Sequence, residues 1–411
     1  MHSFRIIKDT RRYILSRVSV NSESTLSLKN YTTKFSSKSS NSLNKRMCFI
    51  TDVDFDYGAS GGVLNDQKMI SCLKEFGDVD VVYFQRKKYR FLSIALLVFI
   101  FDTVRAFSEP YQIYFSRGLI PSAVMAMLKP FYKHRKTVHR NQIAFASSEV
   151  KYLKLSPIDS FIRYYLFRFI EKTVLPKEDA ITVLSSVYKY NLIKDGVEKD
   201  KIFVIPYYAE NEFFEQPIKY AENRTFTFSY IGSFHAYHDI APIIEAFKIL
   251  IQHNKNVKLV LVGDGVQRHK IEKLVQEREL DGKVVFRGKI PHSCVPNFLS
   301  GVDAFVYMTR TAGMSTSLLE AAASGKPIIT LRKRGDSSLT RYFRHGKEIY
   351  MVNNLSPVEI ARAFELLYCD SKLRISLAEG ARKVASENFN RKATLCELEK
   401  LVNALTANRI R

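Results

Sequence analysis

The stretch TAGMSTSLLEAAASGKPII, residues 311–329, decides the fold of this chain. It contains a loop, a helix that Ser315 or Thr316 can cap, a closing Gly325 and a short apolar strand. A loop, a helix and a buried strand in this order form one repeat of a parallel α/β sheet. The free N–H groups in the first turn of the helix form a site for a diphosphate.

Glu320 lies one turn further along the same helix. A carboxylate at this point can accept hydrogen bonds from two vicinal hydroxyls, such as those of a ribose. The alternative is a capped helix with a surface glutamate, and this stretch taken by itself favours the alternative.

On both sides of this stretch, apolar strands alternate with amphipathic helices. In the second half of the chain, strands are predicted at residues 226–231, 257–262, 284–286, 304–307 and 327–330. The intervening helices are predicted at residues 239–250, 266–276 and 315–323. Ser356 and Glu359 form a predicted capping box for one further helix, with Pro357 at its first position.

The first half of the chain repeats this alternation. Its elements are predicted at residues 47–53, 67–76, 79–84, 112–115, 123–128, 136–139, 161–174, 180–184 and 202–205. The first of them forms a βαβ unit, because a strand is followed by a glycine loop, a helix and a second strand.

We therefore predict an α/β fold with two doubly wound Rossmann-like domains that face a cleft. The first domain takes residues 47–206 and the second takes residues 226–385. The polar segment 207–225 is predicted as the linker between them. Residues 386–411 are predicted as a helix that can cross back to the first domain.

Residues 1–46 are excluded from this fold as a disordered extension. A transit-peptide composition and a start assigned upstream of Met47 explain the extension equally well.

The five cysteines include no C-x-x-C pair, which excludes a zinc knuckle and a secreted disulfide framework. A reducing, cytoplasmic compartment fits best.

The net charge of +22 has a local excess in the first domain. Residues 86–172 hold 16 Lys and Arg against 5 Asp and Glu. They include the run FLSIALLVFIF, residues 91–101, which is too short to span a bilayer. We predict that this segment attaches peripherally to an anionic membrane surface. The alternative is a buried helix beneath an ordinary basic surface.

The sequence carries no nucleic-acid recognition signature, so no nucleic-acid partner is expected.

Glycines follow the predicted strand ends of the second domain, at Gly232, at Gly263 with Gly265, and at Gly288. The carboxyl edge of a parallel sheet is where ligands bind, and glycine lets the backbone approach a nucleotide.

Four segments of the second half resemble, in this order and spacing, the C-terminal domain of the retaining group 1 (family 4-like) glycosyltransferases with the GT-B fold. They are YIGSFHAYHDIAPIIEAF, VKLVLVGDGVQRHKIEKL, KVVFRGKIPHSCVPNFLSGVDAFVYM and MSTSLLEAAASGKPII. The segments RMCFITDV, GASGGVLND, SRG and KTVHRNQIAF resemble parts of the first domain of that family.

The resemblance implies metal-independent transfer of a hexosyl-type sugar with retention of configuration. A nucleotide-sugar donor is expected in the second domain and a glycan or lipid-linked acceptor in the first. The expected role is surface polysaccharide or glycoconjugate synthesis. The nucleotide-sugar is a co-substrate, and no cofactor or metal is expected.

The resemblance places His139 beside the reacting sugar as the catalytic residue and Glu320 on the ribose. An isolated histidine of this kind can also be a satisfied core histidine. The remaining donor-binding residues implied by the motifs are Gly61, Gly62, Gly232, Ser233, His238, Gly263, Gly265, Arg287, Lys289, Arg310, Gly313, Met314 and Ser315.

The sequence departs from the family pattern in three ways. Ala312 replaces the first glutamate of the E-x7-E motif, Ser233 and His238 replace an Arg and a Lys, and Tyr207-Tyr208 replaces Asn-Gly. The candidates for the charge that neutralises the diphosphate are then Arg310, His235, His238 and Lys289. These departures keep a second hypothesis open, a catalytically silent GT-B protein that serves as a binding partner or scaffold.

Overall fold

The computed structural model describes residues 45–55, 61–85, 88–89, 91–141, 157–218, 225–235, 238–254, 256–309, 314–332 and 338–407. In this part of the chain two parallel sheets of six strands each form the framework.

The first sheet has the strand order β2-β1-β3-β4-β5-β6. Its strands are β1 (Lys45–Thr51), β2 (Gly77–Tyr83), β3 (Ile113–Arg117), β4 (Lys136–Asn141), β5 (Ala180–Val183) and β6 (Ile202–Val204). The chain runs outward from β1 to β2 and then continues on the other side of β1 with β3. The winding therefore reverses between β1 and β3, where ligands of doubly wound sheets bind.

The second sheet has the strand order β12-β11-β10-β7-β8-β9. Its strands are β7 (Phe226–Ile231), β8 (Val257–Val262), β9 (Val284–Gly288), β10 (Ala304–Tyr307), β11 (Ile328–Leu331) and β12 (Tyr350–Val352). Here the winding reverses between β7 and β10.

Helices connect the strands and cover the sheets. In the first half they are α1 (Gly61–Leu73), α2 (Leu92–Ser108), α3 (Leu119–Leu128), α4 (Pro157–Val174), α5 (Ser186–Lys194) and α6 (Asn211–Phe214). In the second half they are α7 (Ile240–His253), α8 (Arg268–Glu277), α9 (Val295–Ser300), α10 (Thr316–Ala323), α11 (Ser338–Tyr342), α12 (Pro357–Cys369), α13 (Ser371–Asn388) and α14 (Arg391–Ala407).

The last helix, α14, belongs to the core of the first domain. Leu398, Leu401 and Val402 pack in one buried cluster with Met47 and Phe49 of β1. The chain thus returns to the first sheet after completing the second domain, and apolar burial holds α14 against β1.

The segment predicted as a linker is partly buried. Tyr208 lies in the apolar cluster of the first domain, and Phe213 of α6 lies in that of the second. At the other boundary, β1 begins at Lys45, so Lys45 and Arg46 belong to the first sheet and not to the predicted extension 1–46. Lys45 pairs with Gly77, which lengthens the strand at its start.

The apolar run 91–101 forms most of the first three turns of α2. Ala95, Val98 and Phe99 are buried against the first domain, whereas Phe91 and Leu92 are exposed. This supports the alternative of a core helix for that run. None of the helices within the described residues is long and apolar enough to cross a membrane.

The capping box predicted at Ser356 does not form. The Ser356 side chain makes no cap hydrogen bond to α12. Glu359 Oε1 instead accepts from the backbone N–H of Asn353, at 2.5 Å, and the N–H of Ser356 donates to Asn354 Oδ1 at 2.7 Å.

Candidate functional site

The loops that follow β7 and β10 meet where the winding of the second sheet reverses. His238 and Thr309 pair across these loops as an antiparallel bridge, and Asp239 N–H donates to Met308 O at 3.1 Å. This crevice lies at the carboxyl edge of the sheet, the place expected for a ligand. Arg310, Ala312 and Gly313, which the resemblance places here, lie outside the described residues.

The glycines at this edge pack against neighbouring loops. A Cβ on Gly263, which has a φ of +137°, would lie 1.8 Å from Gly232 O. A Cβ on Gly265 would lie 2.7 Å from Phe234 O. Close packing between the loops therefore requires glycine at both positions, with or without a nucleotide.

Helix α10 presents a capped N-terminus to the first domain. Ser315 Oγ accepts a hydrogen bond from Leu318 N–H at 3.1 Å, which confirms the predicted cap. Thr316 Oγ1 donates to Asn65 Oδ1 of α1 at 3.1 Å. Met314, just before the helix, is buried. The predicted anion site of α10 therefore faces α1 across the domain boundary.

Glu320 is buried and holds two basic side chains. Its Oε1 lies 3.3 Å from Lys68 Nζ of α1 and 2.7 Å from His292 Nε2. Lys68 also donates to Tyr208 O at 3.3 Å and lies 3.8 Å from Glu210 Oε2. A buried carboxylate requires such partners, so the alternative of a surface glutamate is wrong. The contact joins the two domains.

Lys68 and His292 were not among the residues singled out in the sequence. Lys68 lies within the predicted helix 67–76, where a lysine is ordinarily placed on the solvent face. His292 lies in a loop between two predicted elements. It is 28 residues from Glu320 in sequence, so no local sequence pattern predicts their contact.

A second buried charge cluster lies against the first turns of α1. Asp66 accepts from Thr51 Oγ1 at 2.8 Å and from Arg117 Nη1 at 3.0 Å, and it pairs with Arg140. A Cβ on Gly62 would lie 3.1 Å from Arg117 Nη2. Arg117, at the end of β3, is thus a cation beside Gly62 that was not predicted from the sequence.

Gly61 and Gly62 form the first turn of α1. Gly61 has open space where a Cβ would lie, so a side chain would fit at this position without ligand. Arg287 and Lys289 are exposed at the carboxyl end of β9. Ser233 O accepts from Tyr230 Oη at 3.1 Å.

His139 lies in β4 and is almost fully buried. Its Nδ1 lies 2.6 Å from Ser122 Oγ, which in turn lies 2.8 Å from Ser116 Oγ. Burial lowers the pKa of His139 to about 4, so the ring is neutral near pH 7. Side chains alternate along a strand, and Arg140 projects from the opposite face toward α1.

In the described part of the chain, no three His, Cys, Asp or Glu side chains are arranged to hold a metal ion.

Residues 209–384 match the family described as glycosyl transferases group 1. The chain is 24% identical over 300 residues to an uncharacterized glycosyltransferase of Methanocaldococcus jannaschii, covering 71% of this chain and 73% of that protein. It is 25% identical over 272 residues to the capsular polysaccharide biosynthesis glycosyltransferase CapM of Staphylococcus aureus, covering 62% of this chain and 69% of CapM.

The fold is that of solved GT-B proteins. Anabaena HepE, solved in complex with UDP and glucose, aligns with a TM-score of 0.67 at 14% identity. The alignment covers 88% of this chain and 100% of HepE. The predicted fold of two doubly wound α/β domains is confirmed.

Proposed function

We propose that the chain, whose residues 209–384 match the family of group 1 glycosyl transferases, transfers a hexosyl-type sugar from a nucleotide-sugar donor, with retention of configuration and without a metal. The acceptor is a glycan or a lipid-linked glycan of surface polysaccharide or glycoconjugate synthesis. CapM, a relative in capsular polysaccharide biosynthesis, supports this acceptor class.

The observation that carries the proposal is the position of Glu320. It lies on α10, one turn beyond the helix N-terminus, and it is buried at the boundary of the two domains. The N-terminus attracts a diphosphate, and the carboxylate accepts from ribose hydroxyls. Helix α10 thus provides a binding partner for the diphosphate, at its N-terminus, and one for the ribose, at Glu320.

Glu320 has acceptor capacity left for a ribose. Lys68 and His292 both contact Oε1. Among the described residues no contact to Oε2 is found, and a carboxylate offers about four lone-pair directions. The two basic side chains fix the carboxylate in place, so that Oε2 is held ready for a hydroxyl.

Arg117 takes part of the role of the basic pair that Ser233 and His238 replace. Asp66 holds its guanidinium against Gly62, in the loop that the resemblance places near the donor phosphates. A cation there stabilises negative charge that develops on the leaving diphosphate.

His139 acts beside the transferring sugar as a neutral hydrogen-bonding group. Its depressed pKa excludes a positive charge near pH 7. Ser122 orients the ring through Nδ1, which leaves Nε2 for the substrate.

HepE was solved with UDP, so we propose UDP-sugars as the first donors to examine. We also propose a cytoplasmic protein that attaches peripherally to an anionic membrane, where a lipid-linked acceptor resides.

A donor panel with UDP, GDP and ADP sugars tests the proposal. Release of the nucleoside diphosphate is measured with and without a lipid-linked glycan acceptor, in EDTA, and the product anomer is assigned by NMR. We expect turnover in EDTA with a retained anomer. Nucleotide binding without any turnover would instead support the silent scaffold that Ala312 suggests.

A further inference from the structure

Helix α4 exposes an apolar face to solvent. The exposed fractions of its large apolar side chains lie between 51% and 72% at Ile158, Phe161, Ile162, Tyr165, Leu166 and Phe169. Their spacing of three and four residues places them along one side of the helix. This is an unpartnered helix face in an otherwise packed domain.

The apolar face continues onto the neighbouring helix. α3 packs against α4, and Met127 in α3 and Phe131 just after it are 76% and 79% exposed. On the other flank, Arg168 Nη2 of α4 lies 2.7 Å from Asp195 Oδ1, at the end of α5, where Tyr190 is 56% exposed. We call this set of side chains from α3, α4 and α5 the apolar ridge.

The exposed side chains of the apolar ridge indicate a binding surface. Among the described side chains of residues 158–166, none is buried. A helix draws most of its stability from packing an apolar face, and soluble monomers rarely expose a contiguous patch of this kind. The ridge is therefore an interaction surface.

The positive charge around the ridge favours an anionic lipid bilayer as its binding partner over another basic protein surface. Residues 151–172, which contain α4, hold 5 basic against 2 acidic residues. Lys133 and Lys172, near the ridge in sequence, are exposed. A second copy would bring two basic surfaces together, and residues 1–44 are themselves basic, with 8 Lys and Arg against 2 acids. Anionic headgroups complement the charge.

We propose that the apolar ridge docks on an anionic bilayer, with α4 lying in the plane of the interface and its basic flank on the headgroups. This deepens the peripheral attachment proposed above and moves it from the run 91–101, in which Ala95, Val98 and Phe99 are buried, to α4. It does not depend on transfer activity, because its test measures binding alone.

The chain contains no tryptophan, so one introduced tryptophan reports on its own surroundings. Phe161→Trp places it on the ridge. Val266→Trp is the matched control, because Val266 is 83% exposed on the second domain. Emission is recorded with phosphatidylcholine vesicles that carry about 30 mol% phosphatidylglycerol. We expect a blue shift for Phe161→Trp at low salt, its reversal at high salt, and none for Val266→Trp.

A second experiment measures vesicle co-sedimentation of the full chain. The ridge variant carries Phe161→Gln, Tyr165→Gln and Phe169→Gln. The control variant removes as many exposed apolar groups from the second domain, with Val266→Gln, Val358→Gln and Ile375→Gln. We expect roughly tenfold or greater weakening for the ridge variant and unchanged binding for the control.

The basic flank is tested in the same assay. Lys133→Gln with Lys172→Gln should lower binding roughly tenfold, because each lysine near an anionic leaflet adds attraction. Lys372→Gln with Lys383→Gln, exposed on the second domain, should leave binding unchanged.

Two results would overturn the proposal. One is an unshifted Phe161→Trp emission with anionic vesicles at low salt. The other is a dimer in sedimentation velocity that the ridge variant dissociates, which would assign the ridge to a second copy of the chain. If the ridge variant fails to fold, the emission of Phe161→Trp still shows whether the ridge contacts the bilayer.

Discussion

Lys68 Nζ of the first domain lies 3.3 Å from Glu320 Oε1 of the second, and both side chains are about 95% buried. The pair connects helix α1 to helix α10, whose N-terminus is the proposed anion site. The carboxylate that we propose for the ribose is therefore also part of the interface between the domains. The proposal thus couples nucleotide binding to domain contact through one side chain.

The coupling of this pair is measurable with a double-mutant cycle in urea unfolding. Lys68→Met and Glu320→Gln should each destabilise the chain by about 3 kcal/mol, since each takes from a buried charge one of the partners that offset its desolvation. The double variant should recover roughly 1–3 kcal/mol of the summed loss.

The matched control is the exposed pair of Lys400 and Glu397, 2.6 Å apart on α14. Its coupling should stay below about 1 kcal/mol. A coupling of Lys68 with Glu320 as small as that of the control would show that the contact does not hold the domains.

The stability of the chain should depend on pH through His139. Burial lowers its pKa from 6.5 to about 4, so the unfolded chain takes up the proton first as the pH falls. Stability is then fully present above about pH 6.5 and is lost between about 6.5 and 4. Between about pH 7.5 and about pH 5, native protein should lose about 2 kcal/mol more than His139→Asn does.

The exposed His269 provides the control for this measurement. His269→Asn should follow the native protein at both pH values. Identical pH dependence in His139→Asn and the native chain would mean that His139 titrates as an exposed histidine does.

The catalytic assignment of His139 predicts a split between turnover and affinity. His139→Ala should lower kcat about 100-fold or more while the Kd of the nucleotide changes less than about threefold, because the proposal places the residue beside the sugar and not beside the base. Kinetics and calorimetry on one preparation check this. Equal losses, or no loss, would make His139 a structural residue that orders Ser122.

Arg117 should contribute to phosphate binding. Arg117→Gln should weaken UDP binding roughly tenfold or more, through the loss of a charged hydrogen bond, and leave uridine binding unchanged. Arg362→Gln, at an exposed arginine of α12, controls for net charge. Equal weakening of UDP and uridine would indicate a distorted loop.

The order of the elements could be predicted from the sequence because strands buried on both faces appear as continuous apolar runs, as in β10 and in residues 259–262 of β8. The cap of α10 at Ser315 could also be predicted, because a cap is a local contact. The contact of Glu320 with Lys68 could not be predicted, because 252 residues separate the two in sequence. Contacts across a domain boundary leave no periodic signal.

The proposed membrane-binding surface shows the same limit. Residues 91–101 are an unbroken apolar run, whereas charged residues interrupt the apolar ones in α4, so the sequence favours the wrong segment as the exposed one. Val98 and Phe99 are buried in the first domain, whereas Phe161 and Phe169 are exposed.

Calorimetric titration of UDP and 2′-deoxy-UDP into the native chain and Glu320→Gln tests the central claim most directly. If Glu320 accepts from the ribose, the native chain should prefer UDP roughly tenfold, and Glu320→Gln should lose most of that preference while still binding both ligands weakly. An unchanged preference in Glu320→Gln, or a native chain without affinity for UDP, would contradict a nucleotide-sugar site at this carboxylate.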